Sequence, residues 1–139
     1  MDPREDLLLK YTASEKKFLN SIEEARFATI GKSMPHVKPV SFVFQDDAFY
    51  IATDYKTRTY KNVKETPKAA ISIDIYKPGG HKAVLAQGKI KIIEKGPEFK
   101  KIYDVFFKKF EWVRRDPWKE KEAPFLKLVP TTKTSWGLS

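Results

Sequence analysis

The chain has 139 residues, 41% hydrophobic and 14% aromatic, and a formal net charge of +9; that is enough for one domain with a core of its own and too little for two. It has no cysteine, which excludes disulfides, thiolate metal sites and a cysteine nucleophile. Its two histidines, His36 and His81, sit in no tight group of Asp or Glu, so the pattern carries no zinc site. No run approaches the 18 apolar residues of a membrane span, and the opening MDPREDLLLKYT lacks the apolar centre of a signal peptide, so a soluble cytoplasmic protein is expected. Lysine supplies most of the positive charge while Asn, Gln and Met are scarce, a balance typical of thermophile proteomes. The global charge therefore reads as a solubilising surface, and any anion site has to be argued locally.

In chain order, SEKKFLNSIEE (14–24) predicts a short helix capped by Ser14, and ARFATIG (25–31) a strand. PHVKPVSFVFQ (35–45) reads as a second strand whose Pro35 and Pro39 cannot donate to a ladder, so part of it must lie at an edge or bulge. A tight Asp46-Asp47 turn leads to a third strand, and Thr57 then caps a helix over Arg58–Glu65 that Pro67 stops. AAISIDIY (69–76) alternates with Ile71, Ile73 and Ile75 on one face. A long strand over Ala83–Glu94 is interrupted by Gly88, which marks a bulge or a close backbone approach. PEFKKIYDVFFKKFEWV (97–113) predicts one amphipathic helix whose aromatic stripe is core. Trp112 and Trp118 flank a charged loop and read as surface packing, before a last strand over 125–138. Six β segments with few helices predict a mainly β fold with α decoration, a six-stranded antiparallel split barrel with flanking helices, as one domain over residues 1–139.

The short helix poses the functional question. Arg58 and Lys61 lie on one face of its first turns, where the helix dipole disfavours each cation by roughly 0.3–1 kcal/mol. An anion between them would reverse that sign, with Thr57 offering a hydroxyl and the helix start its free amides. A phosphate cradle and a solvated basic face fit the residues equally well. His36 could act as acid or base, Gln87 could aim an amide at a ligand near Gly88, and Trp136 could stack on a flat ring. No Ser-His-Asp set, carboxylate pair or phosphate loop is present, so any redox chemistry would be borrowed from a cofactor.

The ordered set formed by the Pro-x-Val-x-Pro-Val strand (35–40), the Tyr-x-x-Thr strand end (50–53), the basic helix with Lys61-Asn62-Val63, the Gly88 strand and the terminal Thr134-Ser135-Trp136 resembles the pyridoxamine 5'-phosphate oxidase-like, flavin-binding split-barrel superfamily over residues 14–138. That resemblance implies a homodimer holding FMN at its interface and a small-molecule substrate or electron donor. No membrane partner is expected from the hydropathy, and no nucleic-acid partner from aromatics that sit in core-like patterns. The resemblance also implies that Val40, Ser41 and Phe42 line the isoalloxazine edge, beside Lys38 as a neighbour on the same strand. Thr53, Thr57, Arg58 and Lys61 would hold the ribityl phosphate, Asn62 would brace the helix, Gln87 would face the pyrimidine, and Trp136 would come from the partner chain. Thr57-Arg58-Thr59 stands where true pyridoxamine-phosphate oxidases read Ser-Arg-Lys, and no late arginine precedes Ser139, so a flavin-dependent reaction other than oxidation of vitamin B6 is expected. Branches of the superfamily bind a deazaflavin coenzyme or haem instead, and a non-enzymatic flavin- or haem-binding protein is the alternative.

Overall fold

Strand pairing in this protein is antiparallel throughout and closes on itself in the order β1-β2-β3-β6-β5-β4, so no strand of the set is left as a terminal edge. The strands are β1 (Glu24–Gly31), β2 (Met34–Gln45), β3 (Ala48–Ala52), β4 (Lys68–Ile75), β5 (Lys82–Ile93) and β6 (Phe125–Trp136). The computed structural model describes residues 9–138. Among these residues four helices accompany the barrel: α1 (Ala13–Ser21), α2 (Arg58–Glu65), α3 (Gly96–Lys109) and α4 (Glu111–Arg115). The mainly β barrel with α decoration is the architecture the alternation predicts.

Two hairpin turns set the register. Lys32 and Ser33 (φ 51° and 65°) join β1 to β2, and Asp46 and Asp47 (φ 53° and 59°) join β2 to β3. Paired positive φ values make both turns the type I′ form, whose twist matches that of the strands. Asp tolerates this backbone, which is why the second turn could be read from sequence and the first could not.

The inward-facing residues Phe27, Phe42, Phe49, Ile71, Leu126 and Leu128 fill the barrel. A second cluster lies on the outer face of β2, β3 and β6, where Val43, Tyr50 and Phe125 meet Phe99, Ile102 and Phe106 of α3. Each such aromatic contributes about 1.5–3 kcal/mol by leaving water. Lys109, at the end of α3, reaches between the layers and donates to Ile22 O at 2.7 Å and Phe42 O at 3.0 Å. Burial pushes its ammonium down to about 8, against the opposing pull of Glu23.

Five local readings change. The first helix is capped by Thr12 rather than Ser14, because Thr12 and Glu15 form a reciprocal capping box. That helix ends at Ser21, since Glu24 is already paired with Ser41. Ile75 does not join Ile71 and Ile73 in the core but is 40% exposed, because β4 runs on past Ser72, its last residue paired to β1. The stretch 97–113 is broken at Phe110, whose backbone is extended (φ −119°, ψ 121°). The Arg114 guanidinium donates to the carbonyls of Phe107 and Lys108 and so satisfies groups the break would orphan. Trp112 and Trp118 stack with centroids 5.9 Å apart and pack on the second core, more than surface cover.

Glu15 ties α1 to the barrel. It is 4% exposed, and it accepts from Lys133 Nζ at 2.7 Å, from the Ser135 hydroxyl at 2.6 Å and from the Thr12 amide at 2.8 Å. Burial alone would raise its carboxyl, but these hydrogen bonds and the Lys133 charge outweigh it and hold the group at about 2.

β2 is open along part of one side. Residues 34–41 pair with β1, whereas pairing with β3 starts only at Phe42. The Phe42 amide donates to Glu23 O, on the β1 side. Strand alternation then turns the backbone of positions 35, 37, 39 and 41 to the open side. Two of these are Pro35 and Pro39, so Val37 and Ser41 keep the free amides there.

Candidate functional site

α2 forms where Thr57 caps it, accepting from the Tyr60 amide at 3.1 Å, and it ends at Thr66 ahead of Pro67. Its buried side packs on β1. Asn62 Nδ2 donates to Thr29 Oγ1 at 3.0 Å, and the Asn62 amide lies so close under Gly31 that a Cβ there would sit 2.3 Å from Asn62 Oδ1. A side chain at position 31 would have to displace the Asn62 amide from its place on β1. With Asn62 and Val63 turned inward, Arg58 and Lys61 are left on the solvent side. No acidic residue lies in the first turn, and neither cation has an ion-pair partner among the described residues.

Hydroxyl protons at this corner can be counted. Thr57 Oγ1 lies 2.9 Å from Asp54 O and 2.9 Å from Thr53 Oγ1, while also accepting from Tyr60 N. If Thr57 donates to Thr53, the Thr53 proton is free to turn outward; if it donates to Asp54, Thr53 donates to Thr57 and none is free. The unbonded amides of the first turn, a guanidinium and an ammonium therefore share this corner, joined by a hydroxyl proton when Thr57 donates to Thr53. The Thr59 hydroxyl, in the same turn, is buried with no hydrogen-bond partner. These groups fit a phosphate monoester.

β2 supplies a different environment. Lys38, Val40 and Phe42 share the inward face with Phe27 and Ala25 opposite them, and the side chains of Val40 and Phe42 are buried. The Phe42 backbone is also fully engaged, its N–H by Glu23 O and its carbonyl by Lys109. Of the trio assigned to a ring edge, Ser41 is the one whose amide faces the open side. His36 Nδ1 is buried without a partner beside Thr29.

Gln87 lies on the outer face of the barrel. Pairing aligns Val37, Ala28, Ala70, Gln87 and Thr132 in one row across five strands. The small Ala28 and Ala70 make that row a depression, with a groove of about 330 Å³ on one side and about 440 Å³ on the other, both lined by Gln87. The bulge at Gln87/Gly88 sets this residue's orientation, and Thr132 Oγ1 lies 3.3 Å from Gln87 Oε1. Trp136 is on β6 four residues beyond Thr132, opposite Ala83. Its indole N–H is spent on His81 Nδ1 at 3.3 Å, and His81 Nε2 lies 3.4 Å from Asp74. Only the ring face of Trp136, 41% exposed, is left for stacking.

The structure thus gathers Thr53, Thr57, Arg58, Lys61 and Asn62 in one corner, sets Lys38, Val40, Ser41 and Phe42 on β2, and leaves Gln87 and Trp136 on the outer β5–β6 face. Sequence reasoning missed the grooves and the residues Lys68 and Lys89 at the larger one. Their convergence depends on strand register, for which the sequence holds no short-range signal.

Comparison with known proteins agrees with this architecture. The chain belongs to the pyridoxamine 5'-phosphate oxidase family, which it matches over residues 12–136. A search of the curated proteins finds no match. Among solved structures, the heme storage protein HutZ from Vibrio cholerae superposes with TM-score 0.78 at 14% identity, covering 94% of this chain and 98% of that one. An FAD-binding protein from Mesorhizobium loti gives 0.69 at 16% identity (90% and 94% covered), and the FAD binding protein from Mycobacterium smegmatis 0.66 at 16% (91% and 94%). At such identities the likeness is one of fold. Among the described residues no helix is long and apolar enough to cross a membrane, and no group of His, Cys, Asp or Glu could hold a metal ion.

Proposed function

We propose that this protein is an oxidoreductase that binds FMN between two copies of itself and uses it on a small molecule. The observation that carries the reading is the start of α2, where Arg58 and Lys61 stand unpaired at the positive end of the helix dipole beside Thr53 and Thr57. A phosphate dianion converts that unfavourable arrangement into a favourable one. Bound there, FMN would supply hydride or single-electron transfer; the chain's own part is to hold and orient it. Asn62 fixes the helix on β1, the open-side amides of Val37 and Ser41 can polarise a ring carbonyl, and Gln87 and Trp136 offer an amide and a stacking face. FAD- and haem-binding structures of the same fold support a flat aromatic ligand as the class of coenzyme.

Titrating the purified protein with FMN, the deazaflavin coenzyme and haem, side by side, tests the reading. Tight saturable uptake of FMN is expected; a preparation that ignores FMN and takes up haem with a Soret band would overturn it in favour of a haem-binding protein. Arg58→Ala should weaken FMN binding by about 1.5–3 kcal/mol, the scale of a charge-assisted hydrogen bond, and leave the melting temperature of the coenzyme-free form nearly unchanged. A collapse of that melting temperature with undiminished affinity would make Arg58 structural.

The second copy is proposed from the surface beside the grooves. Val37 is 64% exposed and Ile30 40%, and both line the grooves on the outer face of the barrel. Apolar side chains grouped on one face mark an association surface. Val37→Glu should convert dimer to monomer in light scattering and lower FMN affinity with it, while the circular dichroism of the fold persists. A Val37→Glu protein that stays dimeric would exclude this face.

A further inference from the structure

In two places the barrel sets lysine directly opposite lysine, and it treats them differently. On β5 and β6 the pair is Lys91 and Lys127. Glu98 answers it, taking Lys127 Nζ at 2.7 Å; burial would raise the Glu98 carboxyl, but the Lys127 and Tyr50 hydrogen bonds and the charges of Lys127 and Lys91 hold it below its usual range. On β4 and β5 the pair is Lys68 and Lys89. No carboxylate among the described residues pairs with either. Like charges directly opposite on a sheet repel, so this second pair is a standing instability.

Its location gives the instability a use. Lys68 and Lys89 line the groove of about 440 Å³, whose floor is Ala28, Ala69 and Ala70 and whose wall includes Ile30 and Pro35. Neither this groove nor its neighbour is lined by a single Asp or Glu, in a chain with 18 of them. The other cations along the grooves are already neutralised, Arg26 by Glu24 and Lys133 by Glu15. Gln87 spends its amide oxygen on the Thr132 hydroxyl and keeps its NH₂ as a donor. The charged groups left at this groove are thus two ammonium ions, against an apolar floor.

We infer that the groove between Lys68 and Lys89 is a binding site for an oxyanion, a carboxylate or a phosphate, carried on a compact apolar body. It is distinct from the corner at Arg58, which opens α2: Lys68 lies beyond the other end of that eight-residue helix, which is about 12 Å long. Assigning the oxyanion to the substrate, as opposed to the coenzyme, rests on the reading of α2 as the holder of the FMN phosphate. The substrate class is then a small acid whose charge sits at the groove mouth while its body lies over Ala28 and Ala70.

The test uses the full chain, with benzoate and inorganic phosphate as probes followed by amide chemical shifts, and the variants Lys89→Glu and Lys68→Gln/Lys89→Gln. At least one probe should bind saturably with shifts at Ala69, Ala70 and Gly88, and the tighter of the two identifies carboxylate or phosphate. Both variants should weaken it by about tenfold or more. Lys89→Glu should at the same time raise the melting temperature of the unliganded protein by about 2 °C, because repulsion across the strands becomes attraction. FMN affinity should be unchanged in both. Absence of binding by either probe, or binding indifferent to the lysines, overturns the site. A fall in FMN affinity overturns its assignment to substrate, since the groove then belongs to the coenzyme. If wild-type protein takes up no FMN while the probes still bind in a lysine-dependent way, the flavin reading falls and the oxyanion site stands.

Discussion

Replacing Glu15 by glutamine is expected to lower folding stability by about 3 kcal/mol near neutral pH, the equivalent of holding a carboxyl at about 2 against its ordinary 4.5. The side chain is buried and its partner Lys133 is only 20% exposed, so solvent screening removes little of this. The pH dependence has a definite sign. A carboxyl lowered by folding stabilises fully above its unfolded value and loses that contribution as pH falls toward the folded one. The gap between wild type and Glu15→Gln should therefore be constant above about pH 4.5, narrow below it, and be nearly closed at about pH 2. Urea unfolding at a series of pH values measures it. A gap that stays constant down to pH 2 would mean that the loss comes from repacking around the amide and not from the ion pair, since glutamine still serves the capping box.

Gly88→Ala is the second large effect. A Cβ at this position would lie 2.0 Å from Val129 O and 2.8 Å from Pro130 Cα, and both are backbone atoms of the paired strand. Neither can rotate away, so the β5–β6 ladder has to part locally, at about 3 kcal/mol on the scale of overpacked cores. The bulge facing Gln87/Gly88, where Thr131 of β6 is left without a partner, would be distorted with it. Thermal unfolding should show the loss of stability, and FMN and benzoate titrations should weaken together, because Gln87 borders both grooves. A Gly88→Ala protein as stable as wild type would show that β6 yields at Pro130 more easily than its pairing suggests.

Legibility from sequence followed the range of the interaction. Thr57 and Pro67 mark both ends of α2 within ten residues, so that element can be read to its bounds. Gly88 announces its bulge because glycine in a strand has few other uses. Thr12-Ala13-Ser14-Glu15 carries the capping-box spacing, and the choice of Ser14 over Thr12 is a local misreading that the motif itself could have corrected. The break at Phe110 is of another kind. Apolar spacing continues smoothly through Val113, and what interrupts the helix is Arg114 turning back on the carbonyls of Phe107 and Lys108, an arrangement with no signature of its own. The corner at Arg58 was visible as a charge in the wrong place on a helix. The pair Lys68 and Lys89 was not, since 21 positions of chain separate two residues that only the register brings face to face.

The half-open β2 has a consequence for the protein at high concentration. Unpaired strand edges are templates on which further chains add, the route to fibrils. Here two of the four outward positions are prolines with no hydrogen to give, and their rings hold φ fixed. An incoming strand would find every second rung missing at just the spacing it needs. Concentrated solutions and long storage should therefore yield neither domain-swapped ladders nor thioflavin-positive aggregate, and the prolines that leave the seam free for a ligand would be what keeps it closed to another strand.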